Sequence, residues 1–239
     1  MNTIKFRHTI SICICIAVLL LTACSKIAGL ERQQNVDHIT STIDPHIKKS
    51  AWQFLVDRAL GTAPADTIFR WMYRGIIYSG IDTSEYTKPG RTYIFLHYDA
   101  ILRKVSNVTQ ADCYFGKYKV GAAPGVAAAR WEDYPALQVK NYLLSLIVQG
   151  EHTFENVSPD PKFEKSIMPP GTDPLNPESI ITFRVINDRD SKFRINDFPG
   201  SAVPTPNLVT PGIQARTAGI LSTNGPVHVI DRVLFYQKN

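Results

Sequence analysis

The chain has 239 residues, and its 26 lysines and arginines against 21 acidic residues give a net charge of +5. Those cations are spread along the chain and form no stripe that would neutralise a row of phosphates, which excludes nucleic acid as a partner. With 44% hydrophobic residues the chain can build a core by packing alone, and its length suits one domain.

Lys5 and Arg7 precede an apolar run from Ile10 to Leu21. That run is too short for a spanning helix, which needs about 20 apolar residues, and it reads as a targeting segment. The tetrad Leu21-Thr22-Ala23-Cys24 resembles the lipobox of bacterial lipoproteins. The resemblance implies that residues 1–23 are a signal peptide and that Cys24 becomes an acylated N-terminus. Burial of acyl chains is worth about 0.8 kcal/mol per methylene, enough for stable anchoring when several chains are present. Removal of the segment takes two cations and no acid, leaving a charge of +3. Of the four cysteines, Cys13 and Cys15 leave with the signal and Cys24 is acylated, so Cys113 has no partner for an intrachain disulfide. No base lies next to it in sequence, and it reads as an inert thiol.

Residues 24–43 are polar with scattered apolar positions and read as a tether. Asp44-Pro45 supplies a helix start, and Ile47, Ala51, Leu55 and Ala59 recur at helical spacing, which predicts a helix over 45–60. A second helix starts at Asp66 and ends at Ser79-Gly80. Arg91 to Leu96 reads as a strand entered from a turn, and a short helix follows through Tyr98 to Lys104. A third long helix is predicted from Pro135 to Val148, with Gly150 as its stop. Residues 158–179 hold six prolines, a density incompatible with helix or central strand, so this is an ordered loop or a mobile insertion. Ile180 to Val185, Phe193 to Asn196 and Val227 to Phe235 read as strands. Helices early and strands late predict an α+β domain over 44–237.

The stretch Ile220-Leu221-Ser222-Thr223-Asn224-Gly225-Pro226-Val227-His228-Val229-Ile230-Asp231-Arg232-Val233-Leu234 resembles the closing motif of the fasciclin-like domain, with Pro226 in place of a usual apolar residue. Independently of the family, Asn224-Gly225 supplies positive φ at a turn and Val227, Val229 and Val233 alternate towards one buried side. Thr92-Tyr93-Ile94-Phe95 through Asp99-Ala100-Ile101 resembles the family's first motif. Here Leu96, His97 and Tyr98 replace its usual Ala-Pro-Thr, and Leu146 stands where a central His would fall. The resemblance implies a β-wedge of about seven strands with flanking helices mostly in the N-terminal half. It also implies an adhesion or binding module, not an enzyme.

Bacterial lipoproteins of this type accompany outer-membrane glycan uptake systems, which makes a carbohydrate or another surface protein the expected partner, with the anchor in the outer membrane at the cell surface or on its periplasmic face. The other reading is a structural subunit of an envelope assembly with no glycan ligand. His228 and Asp231 are three apart in a strand and point to opposite faces, so they read as structural and not as a catalytic pair. No pair of histidines has metal-ligand spacing, and no cofactor motif or Gly-x-Ser-x-Gly elbow occurs. Trp71 reads as core. Trp131 and Tyr134, in Trp131-Glu132-Asp133-Tyr134 after an Ala-rich loop, are the expected ligand contacts, an exposed aromatic platform flanked by acids.

Overall fold

The computed structural model describes residues 44–61, 67–197, 208–209 and 212–238. The signal segment, Cys24, the tether and the expected helix start at Asp66 lie outside the described residues. What is described is a mixed α+β unit that falls within Asp44–Asn239.

Helix α1 spans Ala51–Leu60 and is capped by Ser50, whose hydroxyl accepts from the Gln53 N–H. The start expected at Asp44 is displaced for a tertiary reason. His46 forms a parallel bridge with Leu221, and the Ile47 N–H donates to the Leu221 carbonyl at 3.0 Å, so this segment is held extended until Ser50. Asp44 instead accepts from the His46 N–H at 2.9 Å. Helix α2, Arg70–Ser79, ends where expected: Gly80 is left-handed (φ 64°) and its N–H closes onto Ile76 and Ile77.

Strand β1, Arg91–Leu96, coincides with its predicted bounds. The helix after it, α3, is a single turn, Tyr98–Ile101, because Leu102 is extended and Lys104–Val105 (β2) folds back on Val108–Thr109 (β3) around Ser106 and Asn107, both at positive φ. A short helix α4, Tyr114–Lys117, and a 3₁₀ turn, Trp131–Asp133, lead into α5, Ala136–Ser145. Helix α5 stops short of the predicted Val148 because β1 captures the chain. The Ile94 N–H donates to the Leu146 carbonyl, and Ile147–Gln149 becomes β4, antiparallel to β1.

The proline-rich stretch holds one strand, β5 (Lys162–Lys165), flanked by Pro161 and lying at a sheet edge, where a missing N–H is tolerated. The remaining strands are β6 (Ile180–Val185), β7 (Phe193–Ile195), β8 (Leu208–Val209), β9 (Ile213–Gln214), β10 (Thr217–Ser222), β11 (Gly225–Ile230) and β12 (Gln237–Lys238). Two four-stranded sheets result, in the orders β10-β11-β1-β4 and β5-β6-β7-β9, with β12-β8 and β2-β3 as separate ribbons. The described residues carry twelve strands, five of them only two residues long and so without a hydrophobic period to read.

Strands β1 and β11 are parallel, with Tyr93 opposite Val227 and Leu96 opposite Ile230. Every residue of β11 is buried, as expected of a central strand covered on both faces. The predicted strand end at Phe235 is not reached; the ladder stops at Ile230 and the chain runs on irregularly. Gly225 takes the positive φ expected of it (144°), but its position is also set by close approach. A Cβ there would stand 1.9 Å from the Arg91 carbonyl oxygen. Asn224 is absent from the residues at positive φ; it acts through its side chain. Around these strands, Phe69, Phe95 and Tyr86 pack edge-on or tilted, with Phe69 and Phe95 centroids 5.2 Å apart. Each such fully buried ring contributes about 1.5–3 kcal/mol.

Candidate ligand-binding cleft

Helix α5 presents Leu137, Gln138, Asn141 and Ser145 on one face, and Tyr142 closes its side. Opposite stand Tyr114 and Tyr118 from α4 and its end, Met168, Thr172 and Asp173 from the proline-rich loop, and Leu234 and Tyr236 from the segment after β11. Together these side chains line a cleft of about 420 Å³, within the range of roughly 300–1,000 Å³ usual for small-molecule sites.

The tyrosines form one aromatic array. Tyr114 lies 4.6 Å from Tyr142 and 4.7 Å from Tyr118, centroid to centroid. Their hydroxyls are used in part to fix the rings. Tyr236 donates to the Ile180 carbonyl at 2.6 Å and accepts from the Asn196 amide at 2.9 Å, and Tyr142 accepts from the Leu234 N–H at 3.2 Å. Burial raises all four phenols above their usual range, and the Asp173 carboxylate adds to this at Tyr118 and Tyr236. They therefore remain neutral at any physiological pH.

The loop wall is built from its own polar groups. The Asp173 carboxylate accepts from the Leu175 N–H at 2.8 Å, the Thr172 hydroxyl donates to the Pro169 carbonyl at 2.6 Å, and the Gly171 N–H donates to the Pro177 carbonyl.

Trp131 and Tyr134 are not the exposed platform expected. Trp131 is 1% exposed and Tyr134 4%. The Trp131 indole donates to the Trp71 carbonyl at 2.8 Å, and the Tyr134 hydroxyl donates to the Tyr118 carbonyl at 2.6 Å. Both pack against Tyr114, at 5.0 and 5.2 Å, and so support the cleft from behind. The cause is that Trp131–Asp133 form a 3₁₀ turn packed under α2, with Tyr134 as its extended cap, and Gly75 leaves room for the indole: a Cβ on Gly75 would lie 2.8 Å from it.

Asn224 and Gly225 lie at the hairpin between β10 and β11, away from the cleft. His228 is fully buried; its Nε2 lies 2.8 Å from the His152 carbonyl, and its Nδ1 accepts from the Gly219 N–H at 3.3 Å. This pattern fixes the neutral Nε2–H tautomer, and burial depresses the imidazole to about 4. Asp231 faces elsewhere: it pairs with Arg216 and Arg232 and, with Arg232, lines a second cavity of about 540 Å³. Cys113 is buried and its thiol donates to the Gln110 carbonyl. Among the described residues no group of three or more His, Cys, Asp or Glu side chains is placed to hold a metal ion, and no helix is long and apolar enough to cross a membrane.

The sequence missed Tyr114, Tyr118, Tyr236 and the loop residues. The signal available was the spacing of Tyr114 and Tyr118, four apart, ahead of a helix whose Gln138, Asn141 and Tyr142 also share a side. No family model matches the chain, and no curated protein is significantly similar to it.

Proposed function

We propose that the chain is a lipid-anchored binding module of a bacterial cell envelope, a divergent fasciclin-like domain tethered through Cys24, which recognises a glycan without transforming it. The observation that carries the reading is the tyrosine-lined cleft. The half-buried rings of Tyr118, Tyr142 and Tyr236 suit the apolar faces of sugar rings, and the amides of Gln138 and Asn141 with the Thr172 hydroxyl suit their hydroxyl groups. Asn141 makes no intramolecular side-chain hydrogen bond among the described contacts, which leaves its donors and acceptor for a ligand.

The fasciclin-like reading draws support from the pairing of β1 with β11, which brings its two family-like segments side by side in register. The anchor reading rests on the lipobox resemblance alone, and it puts the domain at the outer membrane, on the cell surface or the periplasmic face. Two measurements test the proposal. Lipid incorporation is expected for the wild-type chain and lost in Cys24→Ala, with protease shaving of intact cells reporting the face. A glycan array probed with the full chain is expected to give saturable binding that falls at least about tenfold in Tyr118→Ala or Asn141→Ala. Lipid labelling that survives Cys24→Ala refutes the anchor. Absence of any glycan signal favours instead a structural subunit of an envelope assembly.

A further inference from the structure

We infer that the cleft selects uncharged saccharides and rejects acidic ones, and that Asp173 on the proline-rich loop is the residue that sets this selectivity. The inference rests on the glycan-binding reading above and adds the chemical class of its ligand.

The charge content of the cleft carries the argument. Among the described residues its lining holds four tyrosines, two side-chain amides, two hydroxyl residues, two leucines, a methionine and a proline, with one carboxylate, Asp173, and no Lys, Arg or His. A uronate or sulfate ester bound there would meet no cation. The phenols cannot compensate, because burial keeps them neutral and the Tyr142 and Tyr236 hydroxyls are already engaged with the chain itself. An acidic ligand would instead face the Asp173 carboxylate in a partly desolvated cleft, where like-charge juxtaposition is costly and discriminates between partners. For a neutral sugar the same carboxylate is an asset. One of its oxygens is used by the Leu175 N–H, and the other is a charged acceptor for a sugar hydroxyl, among the stronger hydrogen bonds such a site can offer.

The position of Asp173 makes it separable from the fold. It sits in a turn closed by the Gly171 to Pro177 hydrogen bond, outside every helix and strand, so Asp173→Asn can remove the charge while the amide oxygen still caps the Leu175 N–H. Tyrosines, amides and core remain as they are.

The experiment is titration of the detergent-solubilised full chain with xylo-, manno- and gluco-oligosaccharides and with size-matched oligogalacturonates, for wild type and Asp173→Asn. The wild type is expected to bind at least one neutral series about tenfold or more tighter than the uronates, and Asp173→Asn to narrow that ratio several-fold at unchanged melting temperature. Uronates bound as tightly as neutral sugars would overturn the selectivity while leaving the glycan reading intact. A ratio unchanged in Asp173→Asn would remove Asp173 from the role assigned to it. Failure of every saccharide to bind would overturn both this inference and the glycan reading, and would return the cleft to a protein partner.

Discussion

Asn224 shows how much one side chain can organise. Its Oδ1 accepts from the Ala51 N–H at 2.8 Å and from the Ser222 hydroxyl at 3.2 Å, while its Nδ2 reaches the Tyr93 hydroxyl at 2.7 Å and the Tyr86 carbonyl at 3.1 Å. It thereby ties the β10–β11 hairpin to the start of α1, to β1 and to the 3₁₀ turn at Thr83–Tyr86. Asn224→Ala leaves several of these buried groups without a partner, and the expected cost is about 2–4 kcal/mol, read as a lower urea midpoint with unchanged slope.

His228 gives a second prediction at this scale. Its imidazole is held at about 4 in the folded state, below the ordinary 6.5, because burial disfavours the charged form. Its stabilising contribution is therefore complete above about pH 6.5 and declines as pH falls towards 4, by up to roughly 3 kcal/mol. His152 is lowered by burial as well and acts with the same sign. Glu85, lowered by Lys88 and Arg91, loses its contribution only below the usual carboxylate range, outside this window. Melting temperature followed from pH 7.5 to 4.5 is expected to fall, and to fall less steeply in His228→Gln. A flat wild-type profile would contradict a buried neutral imidazole.

At the scale of elements, what the sequence conveys depends on whether local or distant forces set a boundary. β1 and β6 were legible to the residue because turns and β-branched runs define them locally. The end of α2 was legible for a similar reason, the left-handed Gly80. The start of α1 and the end of α5 were not, since pairing with Leu221 and capture by β1 come from far along the chain. The cleft was illegible for the same reason: its tyrosines come from three separate segments, and only the fold brings them together. Trp131 was misread because an Ala-rich approach and flanking acids mark an exposed turn, whereas the opening at Gly75 that accepts the indole lies on another helix. The two placements differ in outcome. An exposed contact would lose binding at constant stability when truncated, but Trp131→Ala is expected to cost about 3–5 kcal/mol through the cavity left between α2 and Tyr114. Urea denaturation distinguishes them, and a stability loss under about 1 kcal/mol would return Trp131 to the surface.

For the molecule as a whole, the described unit separates support from specificity. Sequence-distant β1 and β11 form the buried centre, and α1, α2 and α5 pack around it. The proline-rich loop adds little to that centre beyond Ile167 and Met168, yet it supplies one wall of the cleft. It joins β5 to β6, which pair directly with Lys165 opposite Ile180, so a shorter connection leaves their register intact, and changing loop length costs little in closure entropy. Replacing residues 169–175 with a short Gly-Ser linker is therefore expected to lower the melting temperature by only a few degrees, as a loss of about 1 kcal/mol would. Loss of Thr172 and Asp173 in the same variant is expected to weaken neutral-saccharide binding by more than about tenfold. Calorimetry and titration on the same preparation read the two effects apart. Retained affinity would show that the ligand engages α5 and the tyrosines alone, and a collapse of the melting transition would show that the loop is part of the core and not a wall built upon it.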